Sequence, residues 1–224
     1  AYLMTGALEN KPVESIFPAL WLKDYPATQT IKIVENTSWS CHHGVTRWMG
    51  DCDCTPNSTW KAPLRMALNE IAELLDDSYL NALKPYSLED PWELRHRFIE
   101  VLCKKITPAA LIENVIGDLV NENEMSKISQ LLAAQYERQR MFTSCGWFFD
   151  DFDRIEPVNN VAYAAQAVWL NYLATGEDLS RRAKNWLKAV KSWRSGLSAD
   201  VVFAHYLERA QKTVRTDFLS SIVR

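Results

Sequence analysis

The sequence predicts an all-α protein, mainly a helical bundle, with one short N-terminal strand and two irregular motif loops. Three observations carry this. From about residue 60 onward, apolar residues recur at three- and four-residue spacing. Helix-opening Ser, Thr, Asp and Pro residues stand in front of those stripes. Glycine is scarce, at 7 of 224 residues, so the helical patterns run with few breaks.

Residues 1–30 show no clear period and read as an N-terminal arm or the end of a preceding domain; residues 31–224 read as the helical domain. Thr30–Glu35 alternates well enough for one strand, which would need a partner from elsewhere. Pro63 opens a helix with Leu64, Ala67, Leu68, Ile71, Leu74 and Leu75 on one face. Asp90, Pro91 and Glu93 form a capping pattern ahead of Leu94, Phe98, Val101 and Leu102. Cys103, beside this stripe, is expected in the core. Thr107-Pro108 repeats the device ahead of Ile112, Val115, Ile116, Leu119 and Val120. A further helix runs from near Met125 through Ile128, Leu131, Leu132 and Tyr136. Pro157 opens the next, with Val161, Ala165, Val168, Trp169 and Tyr172, ending near Gly176. Ser180 and Gly196 bracket a helix carrying Trp186, Leu187, Val190 and Trp193, and Ser198 caps the last.

A net charge of -3 gives no case for nucleic acid, which needs a concentrated basic face. No apolar run approaches the ~20 residues of a membrane helix. Ala1–Gly6 lacks the basic and apolar regions of a signal peptide. Five cysteines in a chain this long do not form a secreted disulfide framework, so a reducing cytoplasm is the expected location.

Two stretches break the helical pattern. The first, Thr37–Cys54, holds three of the five cysteines, two histidines and two tryptophans. Cys41, His43, Cys52 and Cys54 supply three thiolates and an imidazole, a donor set for tetrahedral Zn²⁺, although the C-x-C spacing is tight. His42 can substitute for His43, Asp51 and Asp53 add oxygen donors, and Cys145 would be needed for an iron–sulfur cluster. Buried cysteines with a backbone-bonded histidine are the plain alternative.

The second is Phe142–Asp153, with Cys145, Trp147, Phe148, Phe149, Asp150, Asp151 and Asp153. Trp39, Trp48, Trp60 and Trp147 all lie in or beside the two loops, and an indole face stacks on the C–H face of a pyranose. Asp51 and Asp150 are the two carboxylates that could flank a glycosidic bond as acid and base or nucleophile. Helix capping by the aspartates is the plainer role.

Ser38-Trp39-Ser40-Cys41-x-His43-Gly44-Val45-x-Arg47-Trp48, then Asp51-Cys52-x-Cys54, resembles the DUF3536 region found C-terminal to the catalytic barrel of glycoside hydrolase family 57-like proteins. Trp60–Arg65, Asp90-Pro91-Trp92 and Met141–Asp150 follow in the same order, and the resemblance spans residues 31 to 215. Asp53 stands where the family commonly has Gly. The resemblance implies an accessory helical domain, packed on the N-terminal barrel of the same parent chain and contributing to an α-glucan cleft. The catalytic groups would belong to that barrel, so this segment is not expected to be catalytic alone. Trp39, Trp48 and Trp147 would stack on sugar rings while His43, Asp51 and Asp150 bond hydroxyls. The alternatives are a metal-binding structural module on Cys41, His43, Cys52 and Cys54, and a self-sufficient glycoside hydrolase using Asp51 and Asp150.

Overall fold

A computed structural model describes residues 16–117 and 120–212. It divides into two compact units, Ala1–Asn36 and Thr37–Arg224. In the first, helix α1 (Pro18–Asp24) begins at a proline, where no helical N–H is lost, and Trp21 stacks on Tyr25 with ring centroids 4.1 Å apart. Residues 30–35 adopt no strand, contrary to their alternation. Alternation alone does not hold a strand.

The second unit is a bundle of α2 (Thr46–Met49), α3 (Lys61–Leu83), α4 (Trp92–Leu102), α5 (Pro108–Ile116), α6 (Glu122–Arg140), α7 (Ile155–Thr175), α8 (Ser180–Leu187) and α9 (Ala199–Lys212). No sheet forms among the described residues; a lone antiparallel bridge joins Lys191 and Ser198. At 23 residues, α3 is about 34 Å long at ~1.5 Å per residue, so it spans two cores. Its first half packs Leu64, Leu68 and Ile71 against Val161, Ala164, Ala165 and Val168 of α7, with Ala183 of α8 and Phe203 of α9. Its second half gives Tyr79 and Leu83 to a core with Leu94, Phe98, Leu111, Ile112, Leu131 and Leu132. The alanines of α7 bury no long side chain, which lets neighbouring helices approach closely.

The caps follow the sequence, with extensions. The Asp90 carboxylate accepts the Trp92 N–H at 2.9 Å, and the Thr107 hydroxyl accepts that of Ala110 at 3.1 Å. Asn121 and Glu124 make a reciprocal capping box, which starts α6 earlier than Met125. Gly176 closes α7 in the left-handed conformation. α5 ends at Ile116 before Gly117, so Val120 is off its stripe, and Leu119 lies outside the described residues.

Three expectations are corrected. Cys103 is exposed, because it falls on the C-cap of α4 beyond the buried stripe. The helix expected over Ser180–Gly196 stops at Leu187. Trp193 is consequently 54% exposed and not core. The stop has a cause: the fully buried Asp151 carboxylate accepts the Ser192 hydroxyl at 2.7 Å and the backbone N–H groups of Trp193 and Arg194 at 3.2 and 3.1 Å. A buried acceptor with several donors outcompetes another helical turn here.

A candidate metal centre beside an aromatic groove

Four side chains from the first motif loop converge. Cys41 Sγ lies 3.5 Å from Cys52 Sγ and 3.6 Å from Cys54 Sγ. His43 Nδ1 lies 3.7, 3.4 and 3.3 Å from the sulfurs of Cys41, Cys52 and Cys54. All four donor atoms fall within 4.8 Å of one another. Bonds of about 2.3 Å to sulfur and 2.0–2.1 Å to nitrogen at tetrahedral angles put ligand atoms about 3.8 Å (S···S) and 3.6 Å (S···N) apart. The measured separations lie close to those values. They are far from a disulfide, and the cysteines are free.

Local structure places each ligand. Ser38 Oγ accepts the Ser40 N–H at 3.1 Å and turns the chain into Cys41. Gly44, at φ +69, reverses it into α2, and the Thr46 hydroxyl donates to the His43 carbonyl at 2.7 Å. Ser58 Oγ accepts the Cys52 N–H at 3.2 Å. Cys41 and Cys52 are buried, Cys54 is half-buried and His43 is exposed, so the centre sits at the surface with its sulfurs turned inward.

The electrostatics match the donor set. Burial raises the Cys41 thiol, but hydrogen bonds with Cys52, His43 and Cys54 outweigh it and bring its pKa down to about 7. Sharing a hydrogen bond with Cys41, with desolvation and Cys52 adding to it, pushes Cys54 up to about 11. Crowded thiols shed one proton readily and hold the next, unless a cation enters. Lys61, only 1% exposed, has an ammonium with no hydrogen-bond partner. Burial, aided by the charge of Arg47, lowers it to about 8, while Cys52, Asp51 and Asp150 oppose that shift. Three thiolates and a neutral imidazole around a divalent ion leave one negative charge, which a buried lysine nearby offsets. The orphaned ammonium therefore fits a loaded centre.

His42 stands apart from the set, 4.0 Å from Cys54 and tilted against His43. Asp51 and Asp53 are exposed and outside it. Cys145 does not join it either, so no fourth thiolate for an iron–sulfur cluster is present.

The two motif loops meet. Trp48 Nε1 donates to the Ser144 carbonyl at 3.2 Å, and Trp60 Nε1 to that of Asp150 at 3.3 Å. Trp39 stacks on Phe148 at 6.2 Å, and the Arg47 guanidinium lies 5.0 Å from the Phe148 centroid. Between them runs a groove of about 250 Å³ lined by Trp39, Trp48, Ser144, Cys145, Phe148, Phe149 and Glu156. Trp39 is 92% exposed.

Trp147 is the clearest correction among the expected sugar platforms. At 1% exposure it is packed with Trp60 and Phe152 in the core and offers no free face. The 3-10 turn Ser144–Trp147 sends residue 147 inward and Phe148 outward, so the aromatic at the surface is the next one. Phe149, part of the second motif stretch, also lines the groove, as does Glu156, which lies outside that stretch and has no local signal in the sequence. Asp150 is bonded by Arg154 at 3.3 Å and Arg194 at 2.9 Å. Desolvation opposes its ionisation, but its own backbone N–H, Arg154 and the Arg194 charge prevail and hold it below the usual carboxylate range. A carboxylate so held is unsuited to donate a proton near neutral pH.

No curated protein and no solved structure matches this chain. The family model described as a domain of unknown function (DUF3536) matches residues 57–215. That span covers the Trp60–Arg65 and Met141–Asp150 stretches and begins just after the Cys41–Cys54 cluster. The chain belongs to the DUF3536 family.

Proposed function

We propose that this protein is a metal-stabilised helical module, in which Cys41, His43, Cys52 and Cys54 hold one Zn²⁺ ion. The observation that carries the reading is the convergence of three sulfurs and one imidazole nitrogen within 4.8 Å. Four protein ligands close the coordination sphere, so the ion's role is structural and not to activate water. It cross-links a loop that contains only the four-residue α2 and presents Trp39 and Trp48 to the groove. Three free thiols at such a site are best kept in a reducing compartment such as the cytoplasm. Elemental analysis of protein purified without chelator or added metal tests this. About one equivalent of zinc is expected, falling to background when Cys52→Ser and Cys54→Ser are combined; less than a tenth of an equivalent of any transition metal in the wild type contradicts it.

The groove favours a second reading alongside the first: an accessory carbohydrate-binding role, with the catalytic groups on a family 57-like barrel of a parent chain. An exposed Trp39 face, backed by Phe148 and bordered by Glu156, suits a pyranose ring with its hydroxyls turned to the carboxylate. His43, Asp51 and Asp150 lie on the two loops that frame it. Malto-oligosaccharide binding, measured calorimetrically on the full chain, should be lost in Trp39→Ala. Equal affinity in the variant and the wild type removes this reading without touching the metal.

A further inference from the structure

A second concave site lies away from the cysteines. α3 contributes Arg65, Asn69, Ala72 and Glu73, and the C-terminal end of α6 contributes Arg138 and the adjoining Phe142, around a cavity of about 280 Å³. Positions 65, 69, 72 and 73 share one helical face. The Arg65 guanidinium lies 4.8 Å from the Phe142 centroid and that of Arg138 5.7 Å, so one ring supports both cations.

We propose that this cavity binds a phosphate-type oxyanion, free or carried by a small molecule. Arg65 has no carboxylate partner among the described residues. Its Nε is buried without an acceptor, and its one hydrogen bond is a long one, 3.5 Å, from Nη1 to the Trp48 carbonyl. Burial lowers its pKa, the mark of a cation short of compensation. Arg138 is spent on one edge only: Nε and Nη2 donate to the two oxygens of Asp76 at 3.1 and 2.6 Å, which leaves Nη1 unused. Arg95, 4.0 Å from the same carboxylate, helps to neutralise Asp76. Against these stand Asp76, already engaged, and Glu73, exposed at the rim.

The donor arrangement separates phosphate from carboxylate. One planar carboxylate is saturated by one guanidinium fork, as Asp76 is by Arg138. Here the free donors come from two separate guanidiniums and the Asn69 amide. A tetrahedral group with several acceptor oxygens can satisfy them together. The volume suits a metabolite-sized ligand and not a polymer. Glu73 would then face the ligand's uncharged part, where a hydroxyl can donate to it.

Calorimetric titration of the full chain at constant ionic strength tests the site, with inorganic phosphate, glycerol phosphate and acetate as probes. Saturable one-to-one binding of inorganic phosphate or glycerol phosphate is expected, with acetate at least tenfold weaker. Tighter binding of glycerol phosphate would identify a phosphorylated small molecule as the ligand; equal affinity would identify phosphate itself. Arg65→Gln should weaken either by roughly tenfold or more, the usual effect of removing a charge-assisted hydrogen bond. In the wild type, phosphate should shift the NMR signals of the Arg65 and Arg138 side chains, a readout independent of any variant's folding. Absence of saturation by about 10 mM, or an unchanged affinity in a folded Arg65→Gln, overturns the proposal.

Discussion

At the scale of single residues, Lys61 is the sharpest probe of the centre. Its ammonium is buried and without a hydrogen-bond partner, and the charge of Arg47, also buried, acts on it. In metal-free protein that charge is a liability, so Lys61→Met should raise stability by about 1–3 kcal/mol in chemical denaturation. In loaded protein the same change should weaken zinc binding by about tenfold, as changes around a metal's ligands commonly do. A variant that leaves both quantities unaltered would separate Lys61 from the centre. Asp150 offers a pH test. Its folded pKa is depressed, so its contribution is present above the unfolded value near pH 4 and is lost as pH falls through the lower folded value. The carboxylate is 36% exposed, so screening limits the effect. Asp150→Asn should cost less than about 1 kcal/mol at pH 7, and the difference should vanish in acid unfolding curves. The sequence picks out all four residues whose donor atoms converge, because Cys and His are few and their chemistry is specific. It did not separate Trp147 from Phe148, since side-chain direction in an irregular turn depends on backbone angles that no period encodes.

At the scale of elements, the second loop packs closely on α7. Gly146 packs against Asn160, whose Nδ2 donates to the Thr143 carbonyl and whose Oδ1 accepts the Thr143 hydroxyl. A Cβ at position 146 would come within 2.3 Å of Asn160 Nδ2. Because two hydrogen bonds pin that amide, Gly146→Ala should destabilise by about 1–3 kcal/mol, measured by urea denaturation, through overpacking. The helices themselves were largely readable: their apolar stripes and caps at Asp90, Thr107 and Gly176 stand in the chain. Elements set by distant partners were not. The end of α8 is fixed by Asp151, some forty positions upstream, and the residues expected to form a strand do not form one.

At the scale of the whole molecule, two cores share α3, and the two motif loops gather at the N-terminal end of that helix. No described helix is long and apolar enough to cross a membrane. The metal would stabilise this end by binding the folded loop and not the unfolded chain. Chelation should therefore lower the unfolding temperature and raise amide exchange in residues 37–60 while leaving α4 and α5 protected. The proposed centre brings together three sulfurs and one nitrogen. X-ray absorption at the zinc edge, on full-length protein purified without added metal, reads that donor set directly. Three sulfur neighbours at about 2.3 Å and one nitrogen at about 2.0 Å are expected. A shell of oxygen and nitrogen alone, or no bound metal to measure, would contradict it.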